Sequence, residues 1–122
     1  MLVVDDDVDI LVMTSFALET AGYQVRSATD VAQALEAAAV LRPDVVLLDH
    51  RLPLQPGLAA VEQLRRDPAV AGAALVLVSG LRFSPEQVAH LDGYLRKPWN
   101  PEELFALVDR LVDRRRPPTG NA

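Results

Sequence analysis

Three short segments of the chain are apolar at every interior position, and they constrain the fold more than any other feature. They read LVVD, DVVLLD and ALVLVS and occupy residues 2–5, 44–49 and 74–79. A strand with one face in water alternates apolar and polar residues, whereas a strand covered on both faces is apolar throughout. The three segments therefore predict central strands of a parallel sheet.

Helical patterns lie between these strands. Helix one carries an apolar stripe that Gly22 ends, and Asp30 and Asn100 are suitable N-cap residues for two later helices. The predicted stripe consists of Ile10, Met13, Thr14, Ala17, Leu18 and Ala21. The other predicted elements are strands at 23–28 and 94–95 and helices at 31–41, 58–67, 85–91 and 101–112. Alternating strands and helices predict an α/β domain with helices on both faces of the sheet.

Composition excludes several classes of function. The chain has 122 residues, the size of one domain, and its net charge of −5 argues against direct binding to nucleic acid or to an anionic membrane surface. The absence of cysteine excludes disulfides and thiolate chemistry. The longest apolar run, Ala73–Val78, is too short to cross a bilayer, so a soluble, cytoplasmic protein is expected.

Polar groups follow the strands at one edge of the predicted sheet. Strand one ends in Asp5, Asp6 and Asp7, strand three in Asp49, and strand four in Ser79, while Lys97 follows strand five. Clustered carboxylates stay ionised only if positive charge offsets them, and an oxygen-rich cluster suits Mg²⁺. Asp7 alone is better explained as the cap of helix one.

The segments that carry these groups resemble the receiver domain of bacterial two-component response regulators. They are VVDDD at 3–7, LLDHRLP at 47–53 with Gly57 eight residues after Asp49, VSG at 78–80 and YLRKPW at 94–99. The resemblance implies a flavodoxin-like, doubly wound sheet of five parallel strands in the order 2-1-3-4-5. It also implies a receiver domain over residues 1–112, followed by a flexible tail at 113–122.

The resemblance further implies a role for each residue of the site. Asp49 would accept a phosphoryl group from phosphohistidine, while Asp6, Asp49, the backbone carbonyl of Arg51 and, through water, Asp5 would bind Mg²⁺. Lys97 and Ser79 would contact the phosphoryl oxygens, Tyr94 would move with Ser79 as a switch, and the Lys97–Pro98 peptide would be cis. His50 and His90, which lack partners at metal-ligand spacing, are predicted to be surface or packing residues.

The implied partner is a sensor histidine kinase or a histidine phosphotransfer protein. Leu11, Val12 and Phe16 lie off the buried stripe of helix one and are candidates for the surface that docks it. The resemblance would suit a stand-alone regulator or a domain of a longer chain. Only 17 residues separate Ser79 from Lys97, about four fewer than is common in the family, or roughly one helical turn. The loss falls at helix four, which leaves the family's usual homodimer in question.

Two rival functions stay open. An aspartyl phosphohydrolase of the haloacid-dehalogenase kind also combines Mg²⁺, an aspartate nucleophile and a lysine. That family needs a second Asp two residues after the nucleophile, where this chain has Arg51. The other rival is a degenerate receiver, which would bind its partner without being phosphorylated. The receiver itself is expected not to be an enzyme but a phospho-acceptor that assists its own phosphorylation and dephosphorylation.

Overall fold

The computed structural model of the chain describes residues 1–52, 55–89 and 91–115. The strands of its main sheet are β1 (Leu2–Val4), β2 (Arg26–Ala28), β3 (Val45–Asp49), β4 (Ala74–Ser79) and β5 (Gly93–Arg96). The helices are α1 (Val8–Thr20), α2 (Val31–Leu41), α3 (Gly57–Arg65), α4 (Pro85–Val88) and α5 (Pro101–Arg115). A two-stranded antiparallel pairing of Arg51–Leu52 with Gln55–Pro56 precedes α3.

The five strands of the main sheet are all parallel and lie in the order β2-β1-β3-β4-β5, which confirms the predicted fold class and topology. The longest pairing joins β3 and β4 from Val45, opposite Ala74, to Asp49, opposite Val78. Asp49 is thus the last residue of the central strand. Because the strands are parallel, their carboxyl ends share one edge of the sheet.

Two hydrophobic cores explain why the strands are apolar throughout. Alternate residues such as Leu48 and Leu77 face a core closed by α2 and α3. Their neighbours, such as Leu47 and Val76, face a second core closed by α1 and α5. Every residue of β3 is buried, as expected for a strand covered on both faces. None of the described helices is long and apolar enough to span a bilayer.

The predicted apolar stripe of α1 is wrong in phase. The residues of α1 that are buried are Leu11, Thr14 and Leu18, whereas Met13 is 71% exposed. Leu11 and Leu18 are two turns apart on one face of the helix, and that face packs into the core. Thr14 lies between them and belongs to both the predicted and the observed buried faces. The prediction that Leu11 is exposed is therefore also wrong, although Val12 and Phe16 are exposed as predicted, at 62% and 72%.

The second strand is shorter than predicted because Tyr23 is hydrogen-bonded to the last turn of α1. Gly22 has a φ of +99°, its N–H donates to the Glu19 carbonyl, and the Tyr23 N–H donates to the Leu18 carbonyl. These two hydrogen bonds form the Schellman motif, which confirms Gly22 as the residue that ends the helix. Strand β2 accordingly begins at Arg26 rather than at residue 23.

Helix α4 is a single turn and ends three residues before its predicted end. The chain beyond it is held by β4, because the Asp92 N–H donates to the Leu75 carbonyl at 2.9 Å. The Asp92 carboxylate accepts from the Leu75 N–H at 2.8 Å and from Arg65 at 3.0 Å. Since this anchor fixes Asp92 beside β4, the helix cannot continue through that position.

Capping residues were predicted correctly, but the last helix is longer than expected. Asp30 accepts from the Gln33 N–H at 2.8 Å, and Asn100 accepts from the Glu103 N–H at 2.8 Å. Helix α5 continues to Arg115, three residues beyond its predicted end, and the flexibility of the tail at 113–122 stays a prediction. Residues 116–122 and His90 lie outside the described residues, and the domain end at residue 112 stays a prediction.

We predict that Gly93→Val lowers the free energy of unfolding by about 1–3 kcal/mol. A Cβ atom at Gly93 would lie 3.1 Å from Leu107 Cδ1 and 3.3 Å from Val76 Cγ2, so a branched side chain would overpack the contact of β5 with α5. Gly72→Val is the control, since a Cβ there meets nothing within 4 Å. Urea unfolding compares the two variants, and equal losses would contradict the packing argument.

Candidate functional site

Three carboxylates meet at the carboxyl edge of the sheet. Asp5 follows β1, and Asp49 is the last residue of the neighbouring strand β3. Asp5 is 5% exposed and Asp49 is 6% exposed, while Asp6 is exposed. One carboxylate oxygen from each lies within 4.8 Å of the others. Hard oxygen donors at this separation are suited to a divalent cation such as Mg²⁺.

Asp7 has a different task from its two neighbours. Its carboxylate accepts hydrogen bonds from the N–H groups of Asp9 and Ile10 at the start of α1, at 3.0 and 3.3 Å. This confirms the prediction that Asp7 is the N-cap of that helix. The Asp7 N–H in turn donates to Asp5 at 2.9 Å, so the turn into α1 also orients the buried carboxylate.

Lys97 places its ammonium group on the central carboxylate. Its Nζ lies 2.8 Å from Asp49 Oδ1, and the Arg51 N–H donates to the other oxygen, Oδ2, at 3.2 Å. The Lys97 N–H donates to the Ser79 carbonyl at 2.8 Å, and the peptide bond to Pro98 is cis as predicted. Backbone pairing to β4 thus holds the start of the Lys97 side chain at the same sheet edge as Asp49.

Among these carboxylates, the buried Asp5 has a raised pKa. The pKa of Asp5 is raised from 3.8 to about 6, mainly by burial and also by the charges of Asp49 and Asp6, whereas the Asp7 N–H and Lys97 act to lower it. Removing a carboxylate from water disfavours its charged form, and nearby positive charge favours it again. The cluster therefore has the electrostatic character of a cation site.

An open cavity of about 300 Å³ gives access to Asp49. Ser79 and Lys97 line it together with His50, Arg51, Gly80 and Leu81. Ser79 is 3% exposed, and its Oγ accepts from the Leu81 N–H at 3.0 Å. The hydroxyl of the half-buried Tyr94 donates to the Leu81 carbonyl. The structure thus brings together Asp49, Ser79 and Lys97, and it joins Tyr94 to them through the backbone of Leu81.

Two ring contacts near the cavity have no signal in the sequence. His50 packs edge-to-face on Phe83, with ring centroids 4.9 Å apart, and Phe83 packs in the same way on Tyr94 at 5.8 Å. These rings come from three separate segments, and nothing in their spacing along the chain pairs them. Of the two predicted roles of His50, surface or packing residue, these contacts support packing.

A second, apolar hollow of about 570 Å³ lies on the α1 side of Lys97. Ile10, Met13, Trp99 and Pro101 form most of its walls. The predicted docking residues Val12 and Phe16 instead line a groove between α1 and the start of α2, in which the buried Leu11 also takes part. The exposed apolar surface of α1 therefore extends on both sides of the helix.

Comparison with known proteins assigns the chain to a family. The model of the response regulator receiver domain matches residues 1–109. The DNA-binding dual master transcriptional regulator RpaA of Synechocystis sp. is 34% identical over 118 residues, which are 93% of this chain and 49% of that protein. The phosphate regulon transcriptional regulatory protein PhoB of Pseudomonas aeruginosa is 31% identical, over 96% of this chain and 53% of that protein. The chain spans about half the length of these relatives.

A solved structure gives the same assignment over nearly its whole length. The chemotaxis response regulator CheY4 of Vibrio cholerae superposes with a TM-score of 0.79 and 32% identity, covering 90% of this chain and 95% of that one. Fold, site and sequence agree, and the chain belongs to the response regulator receiver domain family.

Proposed function

We propose that the protein accepts a phosphoryl group on Asp49 from a phosphohistidine of a partner protein. The observation that carries this proposal is the Asp49 carboxylate itself, which faces an open cavity, lies 2.8 Å from Lys97 Nζ and is joined by Asp5 and Asp6 within 4.8 Å. A carboxylate oxygen of Asp49 attacks phosphorus, the phosphorus–nitrogen bond breaks, and its electrons stay on the departing imidazole.

Magnesium is the cofactor that fits these residues. Asp6 and Asp49 would hold the ion directly with the backbone carbonyl of Arg51, and Asp5 would reach it through water. When bound, Mg²⁺ supplies positive charge for the transferring phosphoryl group. Support comes from the three oxygen donors and from the raised pKa of Asp5, which a cation would bring back down.

The remaining side chains would bind the phosphoryl group and signal its arrival. Lys97 would pair with one phosphoryl oxygen, and the Ser79 hydroxyl would donate to another. Because Ser79 and Tyr94 both bind the backbone of Leu81, a change at Ser79 would favour a different position of Tyr94. Phosphorylation would thus shift the population of two arrangements of the surface around α4 and β5.

The phosphodonor would be a sensor histidine kinase or a histidine phosphotransfer protein, docked on the exposed apolar surface of α1. Val12 and Phe16 lie on that surface. The protein would act in the cytoplasm through protein contacts, either alone or as a domain of a longer chain, without binding nucleic acid through this domain. The single turn of α4 alters the face where a homodimer would form.

We predict that acetyl phosphate and Mg²⁺ add about 80 Da to the intact protein, the mass of one phosphoryl group. Asp49→Asn should abolish the adduct because it removes the nucleophile, whereas Asp30→Asn, which retains a good helix cap, should leave it unchanged. Mass spectrometry of the intact chain measures both. Sustained turnover of phosphate esters would instead support the hydrolase, and an unmodified wild-type protein would support the phosphorylation-independent module.

We predict that the contribution of Asp5 to the stability of the metal-free protein falls as the pH rises from about 4 to about 6, because folding raises the pKa of Asp5 to about 6. The folded state then binds this proton more tightly than the unfolded state, and the benefit disappears as the pH passes the folded pKa. Asp5→Asn should therefore stabilise the metal-free protein by about 1–3 kcal/mol at pH 7 and have little effect at pH 4.

Urea titrations across this pH range measure the difference. Glu36→Gln removes the same unit of charge from an exposed position on α2 and should leave the pH dependence unchanged. An Asp5→Asn variant that kept the wild-type slope between pH 4 and pH 6 would refute the assignment.

We predict that Val12→Ser combined with Phe16→Ser slows phosphotransfer from a histidine kinase of the same organism by about tenfold or more, since docking loses apolar contact area. The rate with acetyl phosphate should stay the same, because the small donor needs no docking surface. Val40→Ser is a suitable control, since Val40 is 70% exposed but lies on α2. Equal kinase rates for the wild type and the double variant would rule out this docking surface.

A further inference from the structure

The loop between β4 and α4, residues 80–84, is held from two directions. At Leu81 its backbone binds the two polar side chains of the proposed switch: the N–H donates to Ser79 Oγ at 3.0 Å, and the carbonyl accepts from the Tyr94 hydroxyl. At Phe83 the loop makes two aromatic contacts, one with the His50 ring and one with the Tyr94 ring.

His50 joins this aromatic contact to the phosphorylation site. It follows Asp49 directly, and its own N–H continues the β3–β4 pairing by donating to the Val78 carbonyl at 3.0 Å. Its ring is half-buried, and among the described residues Nδ1 is buried without a hydrogen-bond partner. Packing on Phe83 is therefore a contact that positions the imidazole.

Phe83 in turn sets the start of α4. The helix begins at Pro85, one residue after its N-cap Ser84, which forms a capping box with Gln87. All four residues of the helix are described, and none of them is fully buried or belongs to either core cluster. Phe83, which packs against the core beneath α2 and α3, is the nearest anchored residue before the helix.

We propose that His50 and Phe83 are positioning residues that transmit the state of Asp49 to α4 through ring contacts. This inference rests on the proposed function and adds to it a second connection, separate from the hydrogen bonds of Ser79. A shift of the backbone at Asp49 and His50 displaces the imidazole, the imidazole displaces Phe83, and Phe83 carries the start of α4. The connection depends on the shape of the rings and involves no proton transfer.

The test separates occupancy of the site from the response of α4. Beryllium trifluoride with Mg²⁺ serves as the probe, since it forms a tetrahedral adduct with a carboxylate that resembles a phosphoryl group. Fluorescence of Trp99, near Lys97, reports binding. Backbone amide NMR shifts of residues 86–89 report the response of α4. Both are measured on the whole chain at saturating probe, so differences in affinity do not enter the second readout.

Phe83→Leu keeps an apolar side chain but removes the ring contacts. We expect it to bind the probe within about threefold of the wild-type affinity and to halve the amide shift changes of α4 or reduce them further. Phe105→Leu is the matched control, because Phe105 is also half-buried but packs against the opposite core. It should leave the α4 response unchanged while carrying a comparable cost in stability.

The histidine is tested by a pair of variants. His50→Leu should reduce the α4 response as Phe83→Leu does, whereas His50→Phe, which keeps a ring at this position, should restore it. A full response in Phe83→Leu or His50→Leu, or a response in His50→Phe as weak as in His50→Leu, would overturn the inference. A wild-type protein that binds no probe would instead refute the proposed function, so the two failures are distinct.

Discussion

The contact of Lys97 with Asp49 is the interaction on which the rest of the site depends. Asp49 is almost completely buried beside two further carboxylates, and the ammonium group at 2.8 Å offsets part of that negative charge. An isolated charge in such a position would be costly to keep. The lysine therefore offsets part of the negative charge around this buried carboxylate, and the remaining excess of negative charge is suited to a divalent cation.

The scaffold places these groups by topology. Parallel strands send Asp5, Asp49, Ser79 and Lys97 to one edge, although up to 92 positions separate them along the chain. Two cores hold the sheet from both faces, so the strand ends cannot shift independently. The elements without such support are the loops at that edge and the short helix α4, and in these segments the proposed switch is located.

Much of this arrangement could be predicted from residue patterns, because those patterns record burial and capping directly. Continuous apolar runs indicated the doubly covered strands, and Asp7, Asp30 and Asn100 indicated helix starts through their short-range hydrogen bonds. The convergence of Asp49 and Lys97 followed from the parallel topology.

The predictions failed where contacts between distant segments determine the local structure. On α1, the predicted apolar stripe and the observed buried face both contain Thr14 and Leu18. Packing against the sheet selects the face that contains Leu11. The end of α4 is set by the bonds of Asp92 to Leu75, and the contact of His50 with Phe83 joins two loops. Local propensity contains no information on any of these three contacts.

The single turn of α4 has a thermodynamic consequence. A helix of four residues without buried side chains can unfold locally at little cost in free energy, since opening it exposes almost no apolar surface. A partner that binds α4 as a helix must then supply the conformational entropy of ordering that segment from its own contact energy. Recognition at this surface is thereby coupled to folding, so any event that orders α4 beforehand raises affinity without adding a contact.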